Sequence, residues 1–527
     1  MELIPPFVLG LVWILVSAYA LTLGPQNAAA LFSDDAYYYF KIASNVAHGL
    51  GPTFDGIHLT NGFHPLWLLA LVPVFRLTAS PEVGARVVLG ICLALWGLAM
   101  AVAYGRARRL FGSPAALVAA AAIVAPSAGL VALTGLESAL TILLVLVWAS
   151  MEASARLVRG DARPGEAFRV GLLLGLTFLA RLDTAFMILV FLGWAAAAGL
   201  RRRGARSLSS LAALFLPAAA LALAYFTWNL AVFGHLMPIT SSIKSSFPIP
   251  SFQWRARIQD PFLLAWFAQM GVLAAGSLAL LLPRGRRLLG GGREPEGWRV
   301  TLALSLGALG QYVFAFLFVR AAHWHFASAT PALALMLATL TRGLSLALPG
   351  RPREAAAWVA GAFCLALAAV GIGYRFELQR RPTAVVRSFF EAAVWARGHL
   401  PPGAILALTD SGTFGFYSGR RVINLDGYVN SYDFLVAERE RRGREYFRRE
   451  RINYLVLCWL PANLAARVSS GKPYTLADFR PGFILRDLHL GALNSATEIY
   501  RTAAYTGYGG GHPVPILIYR VTPRLID

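Results

Sequence analysis

The stretch "TLALSLGALGQYVFAFLFV", Thr301 to Val319, carries no formal charge. A helix rises about 1.5 Å per residue, so roughly 20 apolar residues cross the hydrocarbon core of a bilayer. A second run, "FLLAWFAQMGVLAAGSLALLL" (Phe262 to Leu282), is equally free of charge. The composition agrees: 57% of the 527 residues are hydrophobic and 14% are charged. Soluble domains average about 25% charged residues, too many for this chain to supply. The expected fold class is therefore a mainly α, polytopic membrane protein.

Working outward, the arginines set the topology. Basic loops occur at Arg106–Arg109, Arg156–Arg169, Arg201–Arg206, Arg284–Arg299 and Arg342–Arg353. Placing all of them on the cytoplasmic side follows the positive-inside rule and predicts about eleven crossings, with the N-terminus inside and the C-terminus outside. Phe7–Leu23 lacks a basic flank and reads as a retained first helix. The segment His64–Leu77 is short, contains Pro65 and Pro73, and is expected to be interfacial or re-entrant. Val170–Leu200 is split by Arg181 and Asp183, predicting two short helices. The net charge of +21 is thus accounted for by membrane topology, and no aromatic-interleaved basic groove suggests nucleic acid. Cys92, Cys364 and Cys458 all fall in apolar stretches, so no disulfide framework is indicated.

From Tyr374 the composition becomes that of a soluble domain. The expected division is a membrane module over residues 1–373 and an extracytoplasmic α/β domain over 374–527. An amphipathic helix (Ala384–Gly398), strands at "AILALT", "RRVINL", "INYLVLCWL", "ATEIYR" and "PILIYRV", and a charged helix over Asp433–Arg451 predict alternating α/β structure. This part holds 21 Lys plus Arg against 13 Asp plus Glu, a balance suited to an anionic membrane surface.

The richest polar stretch follows the first apolar run: "SDDAYYYFKIASNVAHGLGPTFDGIHLTNGFHPLW", Ser33 to Trp67. Carboxylates at a membrane surface are costly to desolvate unless they have a task or a partner. Asp34 and Asp35 could act as a general base on a hydroxyl, or ligate a divalent cation. The plainer alternative is helix capping, for which "SDDA" is suitable chemistry.

Paired acidic residues opening the first external loop, a following helix and the Pro-containing "HPLW" resemble the GT-C superfamily of membrane glycosyltransferases. The resemblance is to the branch holding protein O-mannosyltransferases and the aminoarabinose transferases that modify lipid A. It covers most of the membrane part in order of elements and is strongest in the first loop. In that branch the "HPLW" segment typically reads "KPPLYYW", so His64 stands here in place of a lysine. The resemblance implies an inverting sugar transfer from a polyprenyl-phosphate donor to a hydroxyl of a glycan, lipid or protein, at the outer face of a bacterial cytoplasmic membrane. It implies Asp34 as the base ahead of Asp35, and a donor-phosphate role for His64. Membrane lipids are the other expected partner.

Further candidates follow the same logic. Glu137 in "TGLESAL" sits where a second acidic motif is expected, or caps the next helix. A departing phosphate needs cations and hydrogen-bond donors. Lys244 in "FGHLMPITSSIKSS", and Arg320, His323 and His325 in "RAAHWHFASATP", could supply them, as could Arg181 unless it is paired internally with Asp183. Tyr38, Asn61 and Trp324 are candidates for substrate or acceptor contact. No cofactor is certain. A divalent cation (Mg or Mn) would fall to Asp34, Asp35 and Glu137, while His323 and His325, two residues apart, would face different sides of a helix. Asp410 and Asp426 lie near glycine-rich turns, where turn chemistry competes with acceptor binding. Competing functions are a lipid or oligosaccharide flippase and a non-catalytic relative. A transporter should place polar or broken helices at the bilayer midplane, whereas the acidic residues here gather at one surface.

Overall fold

The computed structural model describes residues 4–78, 80–124, 133–252, 261–290, 297–320, 323–347, 385–458, 497–503, 505–506 and 513–522. Among these, five helical stretches are long and apolar enough to cross a membrane: Pro81–Phe111, Leu182–Phe233, Leu264–Leu281, Trp298–Phe318 and Trp324–Leu346. A bent pair, Ser138–Ser150 with Glu152–Arg159, makes six if it counts as one crossing, its halves meeting at 61°. The protein is therefore a multi-pass membrane protein. The expected eleven crossings are not reached among the described residues, and the last expected crossing, just before Gly373, lies outside them, as does the expected boundary at 373/374.

Local chemistry explains where the helices begin and break. The Pro81–Phe111 helix starts at Ser80, whose hydroxyl accepts the Val83 N–H, with proline in its first turn. Such a cap satisfies one of the orphan N–H groups every helix start exposes. Val170–Leu200 is broken as expected: Pro164–Ala180 ends at Arg181, whose backbone is extended, and Ala185–Arg203 resumes after the single turn Leu182–Thr184. The segment after His64 is a short helix, Pro65–Leu77, with Pro65 in its first turn and Pro73 within it.

The C-terminal unit contains the helix Val385–His399 and a five-stranded mixed sheet. Its strands are β1 (Ile405–Leu408), β2 (Arg421–Asn424), β3 (Tyr454–Leu457), β4 (Glu498–Arg501) and β7 (Leu517–Arg520), in the order β2-β1-β3-β7-β4. β5 (Tyr505–Thr506) and β6 (Pro513–Val514) pair separately. β2, β1 and β3 run parallel, while β7 pairs antiparallel with β3 and β4. The five strand segments named from the sequence are all present. The single charged helix expected over Asp433–Arg451 is instead two, Tyr432–Arg439 and Gly443–Arg449. Arg441 between them takes a φ of 61°, a left-handed conformation that ends a right-handed helix.

The C-terminal unit is docked, not tethered. Between β1 and β2 a short helix, Gly412–Tyr417, packs on the helix Asp34–Ala47 of the first loop. The Tyr37 ring lies 5.5 Å from that of Phe416 and 5.4 Å from that of Tyr417. All three residues are buried in one core with Phe32, Phe40 and Phe75. Burying a large side chain is worth about 1.5–3 kcal/mol, so this aromatic seam fixes the unit over the start of the first loop.

Candidate active site

The site is built from the first turn of Asp34–Ala47. Ser33 is the residue before that helix, with extended backbone, and its side chain makes no capping bond. Successive residues of a helix point about 100° apart, and the two carboxylates accordingly meet different partners. Asp34 is 8% exposed. Its Oδ2 accepts the Gly412 N–H at 2.8 Å, and its Oδ1 accepts the Thr413 N–H at 2.8 Å and the Thr413 hydroxyl at 2.6 Å. Thus Asp34 does not cap its own helix; it receives the first N–H groups of another one, in the C-terminal unit. Burial, with Asp410 close by, pushes its carboxyl well above the usual range, against the pull of these hydrogen bonds. A Cβ on Gly412 would stand 2.0 Å from the Asp34 carbonyl oxygen, so this contact requires glycine.

Asp35 faces a cation. Its Oδ2 lies 3.7 Å from Lys244 Nζ, with both side chains about a fifth exposed, at 23% and 20%. The same ammonium sits 4.1 Å from the centre of the Tyr428 ring. Lys244 ends the short helix Ile239–Lys244. Its carbonyl accepts the Arg320 N–H at 2.9 Å, and the Ser246 N–H donates to the Phe318 carbonyl at 2.8 Å. These bonds clip the 239–246 loop to the end of the Trp298–Phe318 helix. Asp35, Lys244 and the backbone of Arg320, far apart in the chain, are brought to one place, and the Arg320 side chain is exposed.

A second group lies beside it. Arg181 is 3% exposed and reaches two carboxylates. It forms a paired contact with Asp183 (Nε to Oδ1 2.9 Å, Nη2 to Oδ2 3.0 Å) and a hydrogen bond from Nη1 to Glu137. His64 Nε2 stands 3.8 Å from the same Glu137 oxygen. The His64 N–H donates to the Tyr39 hydroxyl at 3.1 Å. Glu137 does not cap the following helix with its side chain. The structure places Arg181 in the internal pair with Asp183 that stands as the alternative to a donor-phosphate role; two carboxylates neutralise its guanidinium, and buried charges persist only when paired.

Two residues expected to contact substrate or acceptor are buried and hydrogen-bonded within the protein. Asn61 is 1% exposed. Its amide donates to Asn229 Oδ1 at 3.1 Å and its oxygen accepts the Ile239 N–H at 2.9 Å, so it ties the first loop to the segment leading to Lys244. Tyr38 is 5% exposed, with its hydroxyl donating to Asp426 Oδ2 at 3.3 Å and accepting the Ser411 N–H at 3.2 Å. Trp324 is half-buried against the core that holds Tyr37 and Phe40. His325 lies in the turn His323–Ala329, its carbonyl accepting from Gln311 Nε2 at 2.9 Å. The His323 side chain lies outside the described residues.

The sequence reading passed over one group entirely. Asp55 accepts from Arg421 Nη2 at 3.0 Å and contacts His58 Nδ1 at 2.8 Å; Glu450 accepts from Arg421 Nη2 at 2.8 Å and lies 3.4 Å from His58 Nε2. This four-membered network again joins the first loop to the C-terminal unit. The available signal was the "DGIH" turn, in which Asp55 also accepts the His58 N–H. Asp55 is held down to about 2 against its burial by these hydrogen bonds, and His58 is raised by Asp55. The Gly62 backbone presses on the same unit, since a Cβ there would lie 1.8 Å from the Tyr428 carbonyl oxygen.

With this geometry in hand, solved structures supply a frame. ArnT from Cupriavidus metallidurans, bound to undecaprenyl phosphate, matches with a TM-score of 0.53 at 14% identity, over 98% of this chain and 98% of that one. The chain has the fold of the GT-C membrane glycosyltransferases. The Archaeoglobus fulgidus oligosaccharyltransferase matches in its apo form with a TM-score of 0.52 at 14% identity, over 86% of this chain and 69% of that one. Its complex with Zn and sulfate matches at 0.51 and 16% identity, covering 85% and 67%. Residues 375–504 match a family model described as "Domain of unknown function (DUF8728)". No curated protein sequence matches the chain.

Among the described residues no group of three His, Cys, Asp or Glu side chains converges as metal ligands. Both Asp34 oxygens accept hydrogen bonds from Gly412 and Thr413, Asp35 faces an ammonium, and Glu137 is paired with Arg181. Each carboxylate expected to ligate a cation thus already meets a hydrogen-bond donor or a cationic side chain.

Proposed function

We propose that the protein transfers a sugar from a polyprenyl-phosphate-linked donor to an acceptor hydroxyl, with inversion, at the outer face of a bacterial cytoplasmic membrane. The N-terminus is cytoplasmic and the 374–527 domain extracytoplasmic. Asp35 is the general base: it takes the proton from the acceptor hydroxyl, and the freed oxygen forms a bond to the anomeric carbon. The bond from that carbon to the phosphate oxygen breaks, and its electron pair leaves with the lipid phosphate. Lys244, Arg320 and His64 stabilise the charge on the departing phosphate. Asp34 carries a different task, holding the C-terminal domain in place through Gly412 and Thr413.

The observation that carries this reading is the 3.7 Å separation of Asp35 and the Lys244 ammonium, with the Arg320 N–H bonded to the Lys244 carbonyl. A base and a phosphate-binding cation must stand on either side of the bond being exchanged, and a donor phosphate drawing Lys244 toward itself would release the Asp35 carboxylate. Asp35 is also the partly exposed member of the pair, whereas the Asp34 oxygens already accept three bonds.

The test compares wild type with Asp35→Asn in cells and follows envelope lipids, glycans and proteins by mass spectrometry. Loss of a general base lowers rates about 10²–10⁴-fold, so the sugar-modified product of the wild type should vanish in the variant at equal expression. A variant that makes the product at the wild-type level would end the assignment of Asp35.

A further inference from the structure

The helix Pro164–Ala180 ends beside Arg181 of the candidate site and begins among arginines. Its 17 residues, at about 1.5 Å rise each, carry that basic start toward the opposite membrane surface. Three chain segments meet there. The Ala162 carbonyl accepts from Arg203 Nη1 at 3.2 Å and from the Ser210 hydroxyl at 2.9 Å. The tight turn Gly204–Ser207 joins the helix Ala185–Arg203 to the helix Leu208–Phe233. That last helix packs closely along Pro164–Ala180. A Cβ on Gly171 would lie 2.1 Å from the Leu214 carbonyl oxygen, and one on Gly175 would lie 3.1 Å from Ala218 Cα. The two helices therefore run in the same direction with their starts level, which gathers Arg169, Arg203 and Arg206 at one end of the pair.

The charge gathered there is uncompensated. Glu166 pairs with Arg156, and Asp161 with Arg159 and Arg202. Arg169, Arg203 and Arg206 are exposed and have no carboxylate partner among the described residues. Their neighbours in sequence are apolar and exposed as well, Phe168 at 50% and Leu208 at 56%. The topological bias of membrane proteins asks only for arginines somewhere in such a loop. It does not ask that three of them take up the acids while three others flank exposed apolar side chains. Guanidiniums beside apolar groups at the end of membrane-embedded helices match a phosphodiester anion carried on acyl chains, because arginine offers paired N–H donors to phosphate oxygens. A soluble polyanion would meet the charge but leave Phe168 and Leu208 in water. A zwitterionic lipid would cover those side chains but bring no net charge to the arginines.

We propose that Arg169, Arg203 and Arg206, with Phe168 and Leu208 beside them, bind the headgroup of an anionic glycerophospholipid at the membrane surface opposite Asp35. The site lies at the far end of the helix from the proposed reaction centre and does not depend on the sugar-transfer reading.

The full chain, with benzoylphenylalanine in place of Phe168, is placed in nanodiscs of equal phosphatidylglycerol and phosphatidylcholine. After irradiation its lipid adducts are counted by mass spectrometry. A basic side chain near an anionic lipid is worth about a fivefold preference, so phosphatidylglycerol adducts should exceed phosphatidylcholine adducts about tenfold or more. The preference should fall to within about twofold of parity in Arg169→Gln/Arg206→Gln, a variant in which Arg203 keeps its bond to Ala162. It should fall likewise for the wild type at about 1 M salt, where the screening length shrinks to about 3 Å, and persist in Arg169→Lys/Arg206→Lys. The salt comparison needs no variant, so it stands even if a substitution disturbs the fold. No lipid adduct at position 168, equal adducts of the two lipids in the wild type, a preference unmoved by salt, or one unmoved in the glutamine variant would each overturn the proposal. Loss of the preference in the lysine variant would do the same, since charge would then not be its cause.

Discussion

Arg421→Met keeps an apolar stem and deletes the guanidinium between Asp55 and Glu450. Those carboxylates are 7% and 8% exposed, so the substitution leaves two nearly buried negative charges facing each other with His58 between them. Removing one partner of a buried ion pair costs about 3–5 kcal/mol. His58 still donates to Asp55, and Arg449 Nε remains 3.1 Å from Glu450, which places the expected cost at the lower end, about 3 kcal/mol. The four groups join the first loop to the C-terminal domain, so the loss should appear as easier undocking, which is a local opening and not global unfolding. The reporter is on the same interface: the Gly412 and Thr413 N–H groups are shielded by Asp34 and become free when the domain lifts. At 1.4 kcal/mol per decade, amide exchange in a peptide spanning 410–418 should accelerate about a hundredfold. Hydrogen-exchange mass spectrometry of the chain in nanodiscs measures this directly. Exchange within about threefold of wild type would mean that the aromatic seam alone holds the domain, and the ionic latch would be discarded.

Three further outcomes follow from the same geometry. The His58 carboxylate partners raise its protonation range, so its contribution to docking is complete below 6.5 and is lost as pH rises through its folded value; Asp55, lowered to about 2 from 3.8, contributes above 3.8 and loses its contribution as pH falls toward 2. Exchange in the 410–418 peptide, corrected for intrinsic rates, should therefore be slowest between 3.8 and 6.5, and a profile flat to pH 9 would contradict it. Lys244→Ala should raise the KM for a polyprenyl-phosphate donor about tenfold or more, since a hydrogen bond to a charged group is worth about 1.5–3 kcal/mol, while the KM for acceptor stays within about twofold; an equal rise in both would count against a phosphate role. Gly412→Ala drives a Cβ to 2.0 Å of the Asp34 carbonyl oxygen. It should destabilise docking by about 1–3 kcal/mol, read as faster proteolysis of the C-terminal domain, and unchanged cleavage would show that the contact gives way freely.

The uncharged run at Thr301–Val319 and the Arg181–Asp183 break were legible because hydropathy and charge act over a few neighbouring residues. The strands were legible for the same reason, each being a short apolar run between turns. The single helix over Asp433–Arg451 failed on one backbone torsion, at Arg441, which no apolar periodicity reports. The site was half legible. Asp35, Lys244 and Arg320 could be singled out from residue type and from the resemblance, and the fold sets Asp35 near Lys244 and the Arg320 backbone against the Lys244 carbonyl. The partners of Asn61 and Tyr38 were hidden for a common reason: a polar side chain in a loop looks available until its partner is known, and theirs come from residues 168 and 388 positions away. The Asp55–Arg421 contact, spanning 366 residues, was invisible on the same ground.

The adjacent acids of the first loop gain their meaning from this long-range docking. A capping role and a chemical role look like rival explanations of Asp34 and Asp35 while the helix is considered alone. On a helix two neighbours diverge by about 100°, and so one position cannot serve both. Asp34 caps, but the helix it caps belongs to the C-terminal domain; this brings the ends of β1 and β2 against Tyr38 and sets Tyr428 over Lys244. Asp35 is left turned toward that ammonium. Under the proposed function, the first carboxylate assembles the surroundings in which the second acts as base. A change at Asp34 should consequently cost docking and product together, whereas a change at Asp35 should cost product with docking intact, and exchange in the 410–418 peptide separates the two.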